Sequence, residues 1–171
     1  MPRYIAFLRG VSPLNAKMPE VKQSFEKMGF TNVVTVLSSG NVVFDAKKTS
    51  QKVLEKQIEE GLKKYSKRSF PTIVRAQDDL RDWLDSDPFR AEKLDAKAKR
   101  VVTFLKDSPT VKPNLPIKKD GAVILKVEDS MVCSAYLPHP KGPAFMVLLE
   151  KTFGKSITTR TLDTLKKVAQ K

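Results

Sequence analysis

The 171-residue sequence has one cysteine, one histidine and no long apolar run. A single cysteine excludes a disulfide bond within the chain, which fits a reducing cytoplasm. One cysteine and one histidine do not make a typical zinc site, so we expect no metal. No apolar run approaches the roughly 20 residues of a membrane helix, and the N-terminal apolar stretch is interrupted at Arg9 with no cleavage signal after it. We therefore expect a cytoplasmic protein with no membrane partner.

Motifs of cofactor binding and catalysis are also absent from the sequence. It contains neither a P-loop nor the Rossmann glycine pattern, and we predict no cofactor. His139 lies in a proline-rich loop, and Cys133 lies inside a predicted strand, where it packs. A hydrolase or transferase without a recognisable catalytic motif stays open as one alternative.

Positive charge is abundant and spread over both halves of the chain. The net charge is +13, with 15 basic and 10 acidic residues in 1–86 and 17 against 9 in 87–171. Such a surface attracts anionic metabolites or nucleic acid, although an ordinary solvated surface explains it as well. The densest basic positions are Lys47, Lys48, Lys63, Lys64, Lys67 and Arg68. They could form a phosphate-tracking surface that does not distinguish bases, although basic helix faces of this kind are usually just solvated.

The first half of the sequence predicts the order β-α-β-β-α-β, followed by one more helix. Apolar residues at helical spacing mark the helices, and β-branched runs mark the strands. Val21, Phe25 and Met28 form one face of a helix that begins at Pro19 and ends at Gly29. This order is that of a ferredoxin-like, or split βαβ, unit.

The second half predicts the similar order β-(loop or helix)-β-β-α-α. The segment 107–121 contains three prolines and is predicted to be a loop, and Pro143 and Thr161 are predicted to begin the two helices. We thus predict an α+β fold of two packed ferredoxin-like halves with mostly antiparallel sheets. The halves are 1–88 and 100–171, with a connection at 89–99.

Three polar motifs stand at the ends of predicted elements. The residues that we predict to bind a ligand there are Arg9, Asn15, Lys17, Ser38, Ser39, Asn41, Thr158, Thr159 and Arg160. Guanidinium, hydroxyl and amide groups at strand ends and before a helix N-terminus suit an anion. Each motif also has a purely structural explanation, because Ser-Gly-Asn is common in hairpin turns and threonine is a common helix cap.

The same motifs resemble those of a bacterial protein family. The matching segments are Phe7-Leu8-Arg9-Gly10-Val11, Ala16-Lys17-Met18-Pro19, Leu37-Ser38-Ser39-Gly40-Asn41-Val42-Val43-Phe44 and Ile157-Thr158-Thr159-Arg160. In this order and spacing they resemble the domain of unknown function 1697. The resemblance implies a two-part α+β fold with ferredoxin-like halves, and it implies no activity.

The function that we expect from the sequence is binding of a small phosphate- or carboxylate-bearing ligand in a cleft between the halves. The alternative is a nucleic-acid-binding protein that uses its basic surface with little sequence preference. Convergence of the three motifs in space favours the first hypothesis, and a contiguous basic face away from them favours the second.

Overall fold

The computed structural model describes residues 1–109, 112–138 and 144–171. The chain divides into two compact units, one of Met1–Ser86 with Lys166–Lys171 and one of Asp87–Leu165. The division into 1–88 and 100–171 with a connection at 89–99 stays a prediction. No helix in the described part of the chain has both the length and the apolar character needed to span a membrane.

The first unit has the element order that the sequence predicts. Its elements are β1 (Arg3–Leu8), α1 (Met18–Lys27), β2 (Thr31–Val36), β3 (Asn41–Asp45), α2 (Gln51–Ser66), β4 (Thr72–Ala76) and α3 (Gln77–Asp85). The sheet order is β2-β3-β1-β4, and every neighbouring pair is antiparallel. The Ser50 hydroxyl caps α2 by accepting a hydrogen bond from Val53 N at 3.2 Å. The helices and strands that the local sequence predicts are therefore the ones that the tertiary structure of this unit contains.

The core of the first unit lies between its sheet and the helices α1 and α2. Phe25 of α1 and Phe44 of β3 are fully buried, with ring centroids 5.4 Å apart. Phe30 packs against Phe44 at 4.6 Å. Aromatic contacts at these distances add to the free energy gained by burying the rings.

The second unit has two strands that the sequence analysis missed. Its elements are β5 (Lys99–Leu105), β6 (Ile117–Lys119), β7 (Ala122–Glu128), β8 (Met131–Tyr136), α4 (Ala144–Phe153) and β9 (Ile157–Thr161), followed by α5 (Leu162–Ala169), whose last residues belong to the first unit. β6 lies in the segment predicted to be a loop, and β9 in the segment predicted to lead into a helix. Pro143, the predicted start of α4, lies outside the described residues.

The core strands of both sheets follow one plan. The second sheet has the order β6-β7-β8-β5-β9, and its pairs are antiparallel. Without β6, the order β7-β8-β5-β9 corresponds strand for strand to β2-β3-β1-β4. The α+β fold with mostly antiparallel sheets is confirmed, and the shared strand order agrees with the predicted split βαβ pattern.

The outer edge of β4 is closed by side chains of α2. Thr72 N donates to Glu59 Oε1, and Val74 N donates to Glu55 Oε2, each at 2.9 Å. The Glu55 carboxylate is only 2% exposed and lies 3.9 Å from Arg75 Nη1 and 3.7 Å from Lys52 Nζ. Burial lowers the pKa of Arg75. β4 lies at the edge of its sheet. Two glutamate side chains one helical turn apart therefore accept the backbone hydrogen bonds that a neighbouring strand would otherwise accept.

Candidate functional site

The structure brings two of the predicted motifs together at the carboxyl end of β1. Leu8 N donates to Gly40 O, and Arg9 N donates to Pro71 O, each at 2.8 Å. Gly40 has a φ of +88°, and a Cβ atom there would lie 2.9 Å from Leu8 O and 3.0 Å from Val11 Cβ. The turn after β2 and the loop after β1 therefore meet at a position where only glycine fits without strain.

Asn41 is part of the structure of this turn. Its side chain is fully buried, and its Nδ2 donates to Val36 O at 3.0 Å and to Ser39 Oγ at 2.9 Å. Ser38 and Ser39, by contrast, are exposed. A ligand at this turn would meet the two serines, while the Asn41 amide holds the backbone in place.

Asn15 has a similar role in the loop that precedes α1. Its Oδ1 accepts a hydrogen bond from Ser12 N at 2.9 Å, and its Nδ2 donates to Gly10 O at 2.7 Å. Arg68 Nη1 donates to Asn15 O at 3.0 Å. The side chain therefore fixes the loop that leads to Lys17, which is exposed and immediately precedes α1.

A groove of about 260 Å³ lies beside this loop, within the first unit. It is bounded by the segment Pro13–Lys17, the first turn of α1 and the residues Ser66, Arg68 and Phe70. Lys17 and Arg68 bring two positive charges to it, and Glu20 brings one negative charge. Among the described residues, no side chain caps the start of α1, where the helix carries a partial positive charge.

Sequence reasoning assigned Arg68 to an extended basic surface and did not connect it with Lys17. The two residues are far apart in the chain, and no local pattern links them. The groove forms because α1 and α2 pack side by side on the same sheet. The proximity of Lys17 and Arg68 is set by tertiary packing, and a single sequence carries no information about it.

Thr158, Thr159 and Arg160 precede the helix α5, as predicted, but they belong to a strand that the sequence did not predict. They lie within β9 and pair with β5, so their backbone belongs to a sheet. The run Ile-Thr-Thr-Arg-Thr is β-branched and fits a pleated strand once β5 offers an open edge. Thr161 does cap the following helix, since its Oγ1 accepts a hydrogen bond from Thr164 N at 3.3 Å.

The side chains of β9 are engaged within the second unit. Arg160 is 8% exposed, and its Nη1 donates to Thr158 Oγ1 at 2.8 Å and to Thr159 O at 2.9 Å. The Thr159 hydroxyl lies 3.0 Å from that of Thr103. Burial lowers the pKa of Arg160 to about 10, so the guanidinium stays charged at neutral pH. The site that joins these residues with Arg9 and Ser39 stays a prediction.

The second unit has a larger groove, of about 790 Å³, that the sequence analysis did not predict. Its lining includes the apolar residues Val123, Leu125 and Ala135 together with charged residues of both signs. The charged residues are Glu92, Lys93, Asp95, Lys118, Lys119 and Asp120. Its volume is in the range of ligand pockets, but the balanced charges of its lining favour neither anions nor cations.

Cys133 is buried in β8, in agreement with a packing role. Burial raises the pKa of its thiol to about 12. We expect alkylation of Cys133 at about pH 8 to be slower than that of a free thiol by roughly 1,000-fold, because only the thiolate reacts. Mass spectrometry after iodoacetamide treatment would measure this, with the urea-unfolded protein as the reactive control. Rapid labelling of the folded protein would contradict it.

Metal-binding groups do not gather in the described part of the chain. No group of three or more His, Cys, Asp or Glu residues there is placed to hold a metal ion. His139 lies outside the described residues.

Comparison with known proteins gives the family and the fold. None of the curated proteins matches the sequence. Among solved structures, the conserved bacterial protein SP0830 from Streptococcus pneumoniae is similar over 99% of this chain and 97% of its own, with a TM-score of 0.72 and 20% sequence identity. At that identity the similarity shows a shared fold. Residues 1–128, which include the whole sheet of the first unit, match the family described as protein of unknown function (DUF1697), and the chain therefore belongs to that family.

Proposed function

We propose that the protein binds a small phosphate- or carboxylate-bearing ligand in the groove between the loop Pro13–Lys17 and the segment that follows α2. The observation that carries the proposal is the meeting of Lys17 and Arg68 in one groove, at the uncapped start of α1. The proposal needs residues of the first unit alone.

The charges of the groove favour an anion. Lys17 supplies a compact ammonium, and Arg68 supplies a planar guanidinium that matches the geometry of a phosphate or a carboxylate. Glu20 offsets one of the two positive charges, so the groove keeps a surplus of one. The partial positive charge of the α1 N-terminus adds to this surplus.

The size and rigidity of the groove favour a small ligand. Its volume of about 260 Å³ lies below the usual range for drug-sized ligands. The loop wall is fixed before any ligand arrives, because Asn15 bonds to Ser12 and Gly10 and accepts from Arg68. A preformed wall lowers the entropic cost of binding.

Replacement of Lys17 by alanine is expected to weaken binding by about 10- to 150-fold, the loss of one charge-assisted hydrogen bond. Isothermal titration calorimetry with inorganic phosphate, glycerol 3-phosphate and succinate would measure it. At a ligand concentration of about 100 times the dissociation constant, the wild-type protein should gain roughly 2.7 kcal/mol of stability.

The matched control is Lys22→Ala. Lys22 is exposed on α1 outside the groove, where its Nζ lies 4.0 Å from Glu26 Oε1. The control removes the same charge at a position nearby in the chain but outside the groove, so it should leave the dissociation constant within about twofold. Equal weakening by both variants would mean that only the net charge of the protein matters, and it would contradict the proposal. Failure of all three anions to bind at low salt would contradict it as well.

A further inference from the structure

The outer face of α2 is more basic than its sequence suggests. Lysines and glutamates alternate along this helix in a pattern typical of balanced surface ion pairs. In the structure, however, the carboxylates of Glu55 and Glu59 turn inward and accept hydrogen bonds from the β4 backbone. Two of the negative charges expected on the surface are therefore used at a sheet edge.

The lysines of α2 lie on the solvent side of the helix, and one of them, Lys52, has its Nζ 3.7 Å from Glu55 Oε1. Lys52, Lys56 and Lys63 follow at helical spacing and are exposed, with Glu60 between them. Within α2, all of which the structure describes, Glu60 is the one carboxylate that is exposed. Lys64 and Lys67 continue the positive charge to the end of the helix.

An exposed aromatic ring lies among these lysines. Tyr65 is 37% exposed, with Lys64 Nζ 5.2 Å and Lys27 Nζ 5.9 Å from the centre of its ring. Lys27 belongs to the last turn of α1, so the ring lies where the two helices meet. Cations at these distances interact with the ring face and help to hold it in place.

We propose that this surface binds single-stranded nucleic acid with little sequence preference. The surface, named here the α2 basic face, comprises Lys27, Lys52, Lys56, Lys63, Lys64, Tyr65 and Lys67. Lysines neutralise phosphates as point charges, and a tyrosine ring offers a stacking surface that accepts any base. This face is a different site from the proposed groove, whose cations are Lys17 and Arg68.

The test is the binding of a fluorescently labelled oligouridine of about 12 nucleotides, followed by fluorescence anisotropy. If about four phosphates are contacted, the logarithm of the association constant should fall with the logarithm of salt concentration with a slope of about −3. A double variant, Lys63→Ala with Lys64→Ala, should reduce this slope by about 1.4. The matched control changes the exposed neighbours Lys118 and Lys119 of the second unit to alanine and should leave the slope unchanged.

Variants of Tyr65 distinguish base stacking from simple charge attraction. Tyr65→Ala should weaken binding by about 5- to 150-fold, whereas Tyr65→Phe should bind like the wild-type protein because phenylalanine also stacks. Thermal unfolding of each variant shows whether it is folded. Lys63 and Lys64 are both exposed, so the double variant keeps the test valid even if Tyr65→Ala unfolds.

Several outcomes would overturn the proposal. One is absence of binding at about 50 mM salt, and another is equal weakening by the Lys63/Lys64 pair and the Lys118/Lys119 pair. Binding to anionic phosphatidylserine vesicles, lost in the Lys63/Lys64 variant, without binding to the oligouridine would show that the face contacts a membrane surface. Small-anion binding at the groove is measured separately with Lys17→Ala, so either proposal can fail alone.

Discussion

Replacement of Glu55 by alanine is expected to destabilise the protein by about 3–5 kcal/mol. The substitution leaves Val74 N without its acceptor at the edge of β4 and removes the carboxylate beside Arg75. It also leaves a cavity at a position that is 2% exposed. Since a domain of this kind is stable by only about 5–15 kcal/mol, the loss is a large fraction of the total. Urea unfolding followed by circular dichroism would measure it.

Two further variants define the origin of this effect. Glu55→Gln retains an oxygen that accepts the Val74 N–H bond and should destabilise the protein less than the alanine variant. Glu60→Ala removes a glutamate from the same helix where it is exposed, and its effect should lie within about 0.5 kcal/mol of zero. If Glu55→Ala were as mild as Glu60→Ala, the role of Glu55 in closing the sheet edge would be refuted.

Replacement of Gly40 by alanine is expected to destabilise the protein by about 2–5 kcal/mol. A positive φ costs an alanine roughly 1–2 kcal/mol, and the overlap with Leu8 O and Val11 Cβ adds about 1–3 kcal/mol. The backbone oxygen of Leu8 cannot move without disturbing its strand. The midpoint of urea unfolding would report the change.

The control for Gly40 is Gly29, at the end of α1. Gly29 also has a positive φ, +93°, but a Cβ atom there would meet no atom of the described residues within 4 Å. Gly29→Ala should therefore cost only the conformational part, roughly 1–2 kcal/mol. Equal effects of the two substitutions would mean that the loops after β1 and β2 do not press on each other at Gly40.

Local signals predicted the first unit well. The apolar face formed by Val21, Phe25 and Met28 predicts α1, and Ser50 predicts the start of α2. These signals act over one or two turns of chain, and the tertiary contacts of the first unit agree with them. The turn around Gly40 was likewise evident, since glycine beside serine and asparagine favours a hairpin.

In the second unit, two strands that local sequence signals do not predict are formed by pairing with other strands. β6 has three residues and follows prolines, so its strand conformation depends on its neighbour β7. β9 forms because β5 has an open edge, and the capping signal of Thr161 says nothing about the residues before it. A strand becomes stable through a neighbour that is remote in sequence, whereas a helix carries its hydrogen bonds within itself.

The sequence by itself determined the α+β class, the order of elements in the first unit, the positive charge and the absence of known catalytic motifs. The tertiary structure alone decided that Lys17 and Arg68 share a groove and that Arg160 lies in a strand. It also decided that Glu55 and Glu59 turn inward, which leaves lysines on the surface of α2. The physical reason is that composition and periodicity depend on near neighbours in the chain. The direction of a charged side chain depends on which distant backbone groups need a partner.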